Sequence, residues 1–202
     1  RDKIAKLSKN LKKNKINFQF ISSPENIAWL LNLRGGDSEY TPIPNSYLIL
    51  DSNSKVYFFC DLKKIDNKLK KSLGNIIINK IEYIDDFLLK IKKRNFQIDG
   101  TSCSVFFKNI LEKNNKIIKK QDPIYHLKSI KNKIEIKNII KSHIYDGVAL
   151  TKFLIWLKNN FYKKKISEIS AQNKLLQFRK KNKTFKCLSF PTISGSGPNG
   201  AI

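Results

Sequence analysis

Over roughly the first 120 residues, apolar positions recur in two rhythms that alternate along the chain. Ile4, Leu7 and Leu11 fall three and four apart, which places them on one face of a helix over residues 2–14. "INFQFI" then predicts a short buried strand. "PENIAWLLN" predicts a helix, because Pro24 suits a first turn, where its missing N–H leaves nothing unpaired. "SYLIL" and "KVYFFC" flank "DSNS" and read as two strands joined by a tight turn. After them the pattern predicts a helix near 62–73, the strand "NIIIN", a helix near 83–93, the strand "FQID", a helix near 104–113 and a strand around Lys116–Ile118. Strand and helix in alternation imply an α/β layer on a largely parallel or mixed sheet.

The rhythm changes after "QDPIYHL", where Asp122-Pro123 predicts a connector, because the residue before a proline is pushed out of helical backbone. Beyond it Ile136, Ile139, Ile140, Ile144, Val148, Leu150, Leu154 and Leu157 form one broad face of a long helix. Asn132, with Glu135 three residues on, has the form of its N-terminal cap. Gly147 within that helix costs about 1 kcal/mol relative to alanine, which predicts a compensating close contact. Ser167 caps a second helix running to about Lys181. "TFKCLSFPTISGSGPNGAI" predicts a strand that breaks into a Gly, Ser and Pro turn and then starts another strand. The expected organisation is an α/β domain over residues 1–122, followed over 123–202 by the start of an α+β domain.

Composition changes this picture at three points. Forty lysines and arginines against 16 acids give a formal net charge of +24, which raises nucleic acid or an anionic membrane as a partner. The way the charge is built argues against both. Arginine, the residue that grips phosphate with a two-pronged donor, occurs only at Arg1, Arg34, Arg94 and Arg179. The remainder is lysine scattered among abundant Asn and Ile, which reads as codon bias. Cys60, Cys103 and Cys187 are odd in number and far apart, which fits reduced thiols in a cytoplasmic protein. No apolar run approaches the roughly 20 residues needed to span a bilayer. Methionine is absent and Arg1 is not a residue before which a start methionine is trimmed; the expectation is an internal piece of a longer protein.

Candidate chemistry is sparse. "GSGPNG", Gly195 to Gly200, satisfies the G-x-G-x-x-G dinucleotide pattern, but that pattern needs a helix opening inside the glycines and an acid about 20 residues later. Neither follows here, and Pro198 after Gly197 reads as a turn. His126 and His143 are the only histidines, too few for a metal centre among carboxylates so spaced, and His143 sits on the apolar helix, where a structural hydrogen bond is expected. Asp85 and Asp86 are adjacent on a helix and point in different directions, as a solvated first turn does. Asp146 is expected to make a helix-packing or interface contact. Arg34 and Asp37 in "LRGGDSEY" are the polar residues of most interest in the first half, either at the mouth of a cleft between domains or in an ion pair that fixes their loop.

Three stretches, "NIAWLLNLRGGDSEYTPIPNSYLIL", "PIYHLKSIKNKIEIKNIIKSHIYDGVALTKFLIWL" and "LSFPTISGSGPNGAI", together resemble the aminopeptidase P family, the X-prolyl aminopeptidases of the creatinase and prolidase superfamily, in the three-domain, cytosolic type. The resemblance implies that residues 1–122 are a ribonuclease H-like second domain. It implies that 123–202 open the "pita-bread" catalytic domain. It further implies an enzyme, a homodimer, that removes the N-terminal residue from peptides with proline in second position. The attacking group that the resemblance implies is a hydroxide bridging two divalent ions, usually manganese; such a pair generates a nucleophile at neutral pH. Their ligands are implied to follow Ile202, as is a substrate-binding histidine two positions after it, so the piece alone is expected to be inactive. Ser194, Pro198, Asn199 and Gly200 become candidates for a wall of the substrate pocket, and Arg34 and Asp37 for a loop at the domain cleft. Gly36 and Thr41 depart from the family pattern, where serine and asparagine are common. A non-catalytic binding protein of the same fold, or a related enzyme such as prolidase or creatinase, is the alternative.

Overall fold

The computed structural model describes residues 2–163 and 165–200. Arg1, with which the expected first domain begins, and Ala201 and Ile202, where the final strand is expected to start, lie outside them. The described residues form two compact units, one running to Ile130 and the other starting at Lys131.

The first unit contains β1 (Phe18–Ile21), β2 (Ser46–Asp51), β3 (Val56–Cys60), β4 (Ile77–Lys80), β5 (Asn95–Ile98) and β6 (Lys116–Lys119). Its helices are α1 (Asp2–Lys13), α2 (Pro24–Leu31), α3 (Asn67–Leu73), α4 (Ile84–Lys90), α5 (Val105–Glu112) and α6 (Pro123–Ser129). Successive strand residues point to opposite faces, so strands apolar at nearly every position need cover on both sides. The central strands have that composition. Phe20, Ile49, Phe59, Phe96 and Ile98 are buried on one face, and Ile21, Leu48, Leu50, Val56 and Phe58 on the other.

The six strands make one mixed sheet in the order β4-β3-β2-β1-β5-β6. β2 pairs antiparallel with β1 and β3, and the other neighbours are parallel. Phe20 lies opposite both Ile49 and Ile98, which fixes the register of one apolar face across three strands. Leu7 and Leu11 of α1, Ile27 and Leu30 of α2 and Ile124 of α6 belong to the core on the Ile21 and Leu48 face. Ile84 and Leu88 of α4 with Phe107, Ile110 and Leu111 of α5 belong to that on the Phe20 and Ile49 face. The α/β class read from the alternation is the observed fold.

Two elements differ from expectation in this unit. The helix predicted near 62–73 is divided into a 3-10 turn over Leu62–Lys64 and α3. Asp66 is extended, and its carboxylate accepts the Leu69 N–H at 2.7 Å, starting a new helix. The connector expected at Asp122-Pro123 is the start of α6: Asp122 is the cap, accepting from the Ile124 N–H at 2.9 Å, and Pro123 takes the first helical position. The steric rule that keeps Asp122 out of helical backbone acts on that residue alone, and proline itself favours the turn that follows.

The second unit is built on α7 (Lys133–Asn160) and α8 (Glu168–Lys180). Asn132 and Glu135 form the expected capping box. Ala149 is buried, Phe153 stacks on Trp156, and Arg179 of α8 grips the Asp146 carboxylate of α7 from Nε at 2.7 Å and Nη2 at 3.2 Å. Asp146 thus makes the packing contact expected of it. Gly147 does not: nothing lies within 4 Å of where a Cβ would stand. The strand expected in "TFKCLSF" does not form, because a strand is completed by a neighbour's backbone and this segment has no β partner among the described residues. No described helix is long and apolar enough to cross a membrane.

Candidate functional site

In the second unit the candidate wall residues are gathered by a residue that the sequence reading did not single out. Ser167 and Ser170 cap α8 reciprocally: the Ser170 N–H donates to Ser167 Oγ at 3.2 Å and the Ser167 N–H to Ser170 Oγ at 2.9 Å. With the cap complete, the carboxylate of Glu168 is left to reach the glycine-rich loop. Its Oε1 accepts the Ser196 N–H at 2.5 Å, and both of its oxygens lie 3.3 Å from Asn199 Nδ2. Its backbone carbonyl accepts Ser194 Oγ at 3.3 Å.

The loop closes on itself through the Asn199 N–H, which donates to the Ser196 carbonyl at 3.2 Å, and ends in a 3-10 turn over Gly197–Gly200. Gly195 is sterically required, since a Cβ there would stand 2.6 Å from the Asn199 carbonyl oxygen. Gly197 has φ of +57°, where side chains are strained. Ser194, Pro198, Asn199 and Gly200 are exposed. Crowding at Gly195 and the positive φ of Gly197 thus account for two of the three glycines without a nucleotide. A first-turn acid ordinarily reads as a partner of the helix dipole, and no feature of a single sequence ties it to a loop some 26–31 residues later.

The second candidate pair, Arg34 and Asp37, lies in the first unit and is not an ion pair. Arg34 Nη1 donates to the carbonyls of Leu33 at 2.6 Å and Ala28 at 3.5 Å, closing the C-terminal end of α2. Asp37 instead binds Lys64 at 2.6 Å and accepts the Asn45 N–H at 2.7 Å. These bonds, Lys64 foremost, hold its carboxyl below the ordinary aspartate value. The two limbs of the loop join where the Gly35 N–H donates to the Pro42 carbonyl at 3.2 Å. An ion pair does fix this loop, but through Lys64.

A buried polar cluster lies behind β1. Asp122 accepts from Gln19 Nε2 at 2.8 Å and Asn26 Nδ2 at 2.7 Å, and its own N–H donates to Asp99 at 2.8 Å. Burial pushes the Asp122 carboxyl up. Burial also pushes on Asp99, but bonds from the Asp122 and Thr101 N–H groups and the Thr101 hydroxyl outweigh it and hold that carboxyl low. The cluster binds the start of α6 to the sheet, and only the proline step at Asp122 hinted at it in the sequence.

His143 Nδ1 lies 3.0 Å from the Ile139 carbonyl, the hydrogen bond of a structural side chain. Burial pushes the thiols of Cys60 and Cys103 up to about 11, so neither is a nucleophile at neutral pH. Among the described residues no three His, Cys, Asp or Glu side chains come together to hold a metal ion. The donors present therefore do not fit a two-metal centre.

A family model described as Creatinase/Prolidase N-terminal domain matches residues 1–135 of the 202. Over its whole length the chain is 35% identical to the probable Xaa-Pro aminopeptidase P of Laccaria bicolor, of which it spans 32%. Among solved structures it is similar, at a TM-score of 0.87 and 23% identity, to the X-prolyl aminopeptidase of Caenorhabditis elegans, described as a cytosolic enzyme with a di-nuclear active site. That match covers 98% of this chain and 36% of the other. The Xaa-Pro dipeptidase of Bacillus anthracis shares the fold at a TM-score of 0.65 and 17% identity, over 89% of this chain and 48% of the other. The chain thus spans about a third of the length of the curated relatives it matches. The family match takes in the whole six-stranded sheet and the helices on both its faces, and this chain belongs to the creatinase/prolidase N-terminal domain family.

Proposed function

We propose that the full-length protein is a dinuclear-metal aminopeptidase that removes the N-terminal residue from peptides with proline in the second position. The observation that carries this reading is the 35% identity to curated Xaa-Pro aminopeptidases across the entire chain, through both compact units. In this reading residues 1–122 are the domain preceding the catalytic one and 123–202 open the catalytic domain. The Ser194–Gly200 loop is one wall of the substrate pocket, and the loop of Arg34 and Asp37 lies at the domain cleft. The two divalent ions, manganese in this proposal, are held by groups outside residues 1–202, and the chemistry they supply is a hydroxide nucleophile at neutral pH. The protein is a cytoplasmic homodimer, and its partner is a peptide and not a nucleic acid or membrane.

Prolidases share the fold at lower identity, so substrate length is the discriminating measurement. The full-length protein with manganese releases alanine from Ala-Pro-Ala, leaves Ala-Ala-Ala intact and cleaves the dipeptide Ala-Pro far more slowly. Absence of release from any of them overturns the peptidase reading in favour of a binding protein of the same fold. Faster cleavage of the dipeptide reassigns it to the prolidases. Residues 1–202 alone show no turnover under the same conditions.

A further inference from the structure

We infer that Glu168 is a positioning residue of the proposed pocket: its carboxylate clasps the Ser194–Gly200 loop in one conformation and does not itself meet substrate. The inference rests on the reading of that loop as a pocket wall. Its geometry stands independently of that reading. The loop has no apolar anchor of its own: Ile193, just before it, is 95% exposed, and every residue from Ser194 to Gly200 is at the surface. What holds it is polar and converges on one residue: the Ser196 N–H and the Asn199 side-chain amide reach the Glu168 carboxylate, and the Ser194 hydroxyl reaches the Glu168 backbone carbonyl.

Helix α8 does not need this carboxylate as a cap, because Ser167 and Ser170 already satisfy one another. Two donors from a single short loop aimed at one ionised acceptor make charge-assisted bonds, the stronger kind. They fix the side chain of Asn199 and the backbone of Ser196 relative to α8. Gly195, with no room for a Cβ against Asn199, lets the two limbs close enough for both donors to reach the same carboxylate. A wall that must present fixed backbone to a substrate is ordered here by one residue on the rigid element behind it.

The experiment compares E168A, E168Q and N199A in the full-length, manganese-loaded protein, by amide hydrogen exchange and by kinetics on Ala-Pro-Ala. Removing the carboxylate in E168A speeds exchange of the Ser196, Gly197 and Asn199 amides about tenfold and leaves the amides of α8 unchanged. A wall that positions substrate shows itself in a KM raised about tenfold, with kcat within about threefold of wild type. E168Q, whose side-chain oxygen still accepts the Ser196 N–H, recovers most of both. Should E168A fail to fold, N199A removes one donor and gives a smaller change in the same direction, about threefold.

Loop exchange identical in all variants overturns the clasp. Faster loop exchange with KM and kcat untouched overturns the positioning role, as does an equal loosening of α8 throughout, which marks a merely structural residue. A wild-type protein that cleaves no X-Pro peptide overturns the function beneath the positioning role, while the exchange result still decides the clasp.

Discussion

The two units use apolar residues in opposite ways. In the first, both faces of a six-stranded sheet are covered, and buried apolar side chains run from Leu7 on α1 to Ile124 on α6. In the second, Ala149 is the one buried apolar residue among the described residues, while Ile136, Ile140, Ile144, Val148, Leu150 and Leu154 of α7 stand open. The same hydrophobic spacing that builds a helix in both places builds a core in only one. A periodic stripe records that a face is to be covered. It does not record by what.

The largest test of this contrast separates the units. Expressed alone, residues 1–130 unfold in a single cooperative thermal transition, because their core is complete within them. Residues 131–202 alone keep helical far-ultraviolet dichroism but bind a hydrophobic dye and melt without a sharp midpoint, the behaviour of secondary structure without fixed packing. A sharp transition in the second piece, or none in the first, breaks the comparison.

Single truncations sharpen it. Leu88 is fully buried between α4 and the sheet, and L88A costs about 2–5 kcal/mol by the usual sum of lost transfer energy and cavity. Leu154 on α7 is 53% exposed, and L154A in the 202-residue chain falls within about 0.5 kcal/mol of wild type. Urea titration followed by Trp29, which packs against the first core, reads the first. Trp156 on α7 reads the second. Equal costs at both positions mean that the α7 face is covered.

How much was legible follows the same line. The central strands of the first unit are visible because a short apolar run bounded by turn residues suits a strand covered on both faces, as "VYFFC" and "YLIL" show. α7 and α8 were visible through Asn132 and Ser167, whose caps act within three residues. What was not legible acts across long separations. Asp37 meets Lys64 and not Arg34, Glu168 meets Ser196, and Asp122 meets Gln19, 103 positions earlier in the chain. No local propensity encodes such partners. The missing strand in "TFKCLSF" fails for a related reason, since β-propensity is realised only beside a second strand.

The polar fasteners of the two units divide as the apolar residues do. Asp122 is 4% exposed and serves Gln19, Asn26 and the first turn of α6. D122A strands those buried donors and removes a cap, at about 2–4 kcal/mol. Asp146, with its side chain 53% exposed, faces Arg179 in a solvent-screened pair, and D146A costs no more than about 1 kcal/mol. Acidity separates the carboxylates further. Burial raises Asp122 above the ordinary 3.8, so its ionisation opposes folding: that contribution is absent below the unfolded value and grows as pH rises through the folded one. Asp37, held low chiefly by Lys64, works in the other sense, adding stability above 3.8 that is lost as pH falls through its depressed value. Between D122N and D37N, urea midpoints measured from pH 3 to pH 7 therefore move in opposite directions with pH: relative to wild type, D122N gains as pH rises and D37N loses. A common direction for both variants removes the distinction between a buried clasp and a surface one.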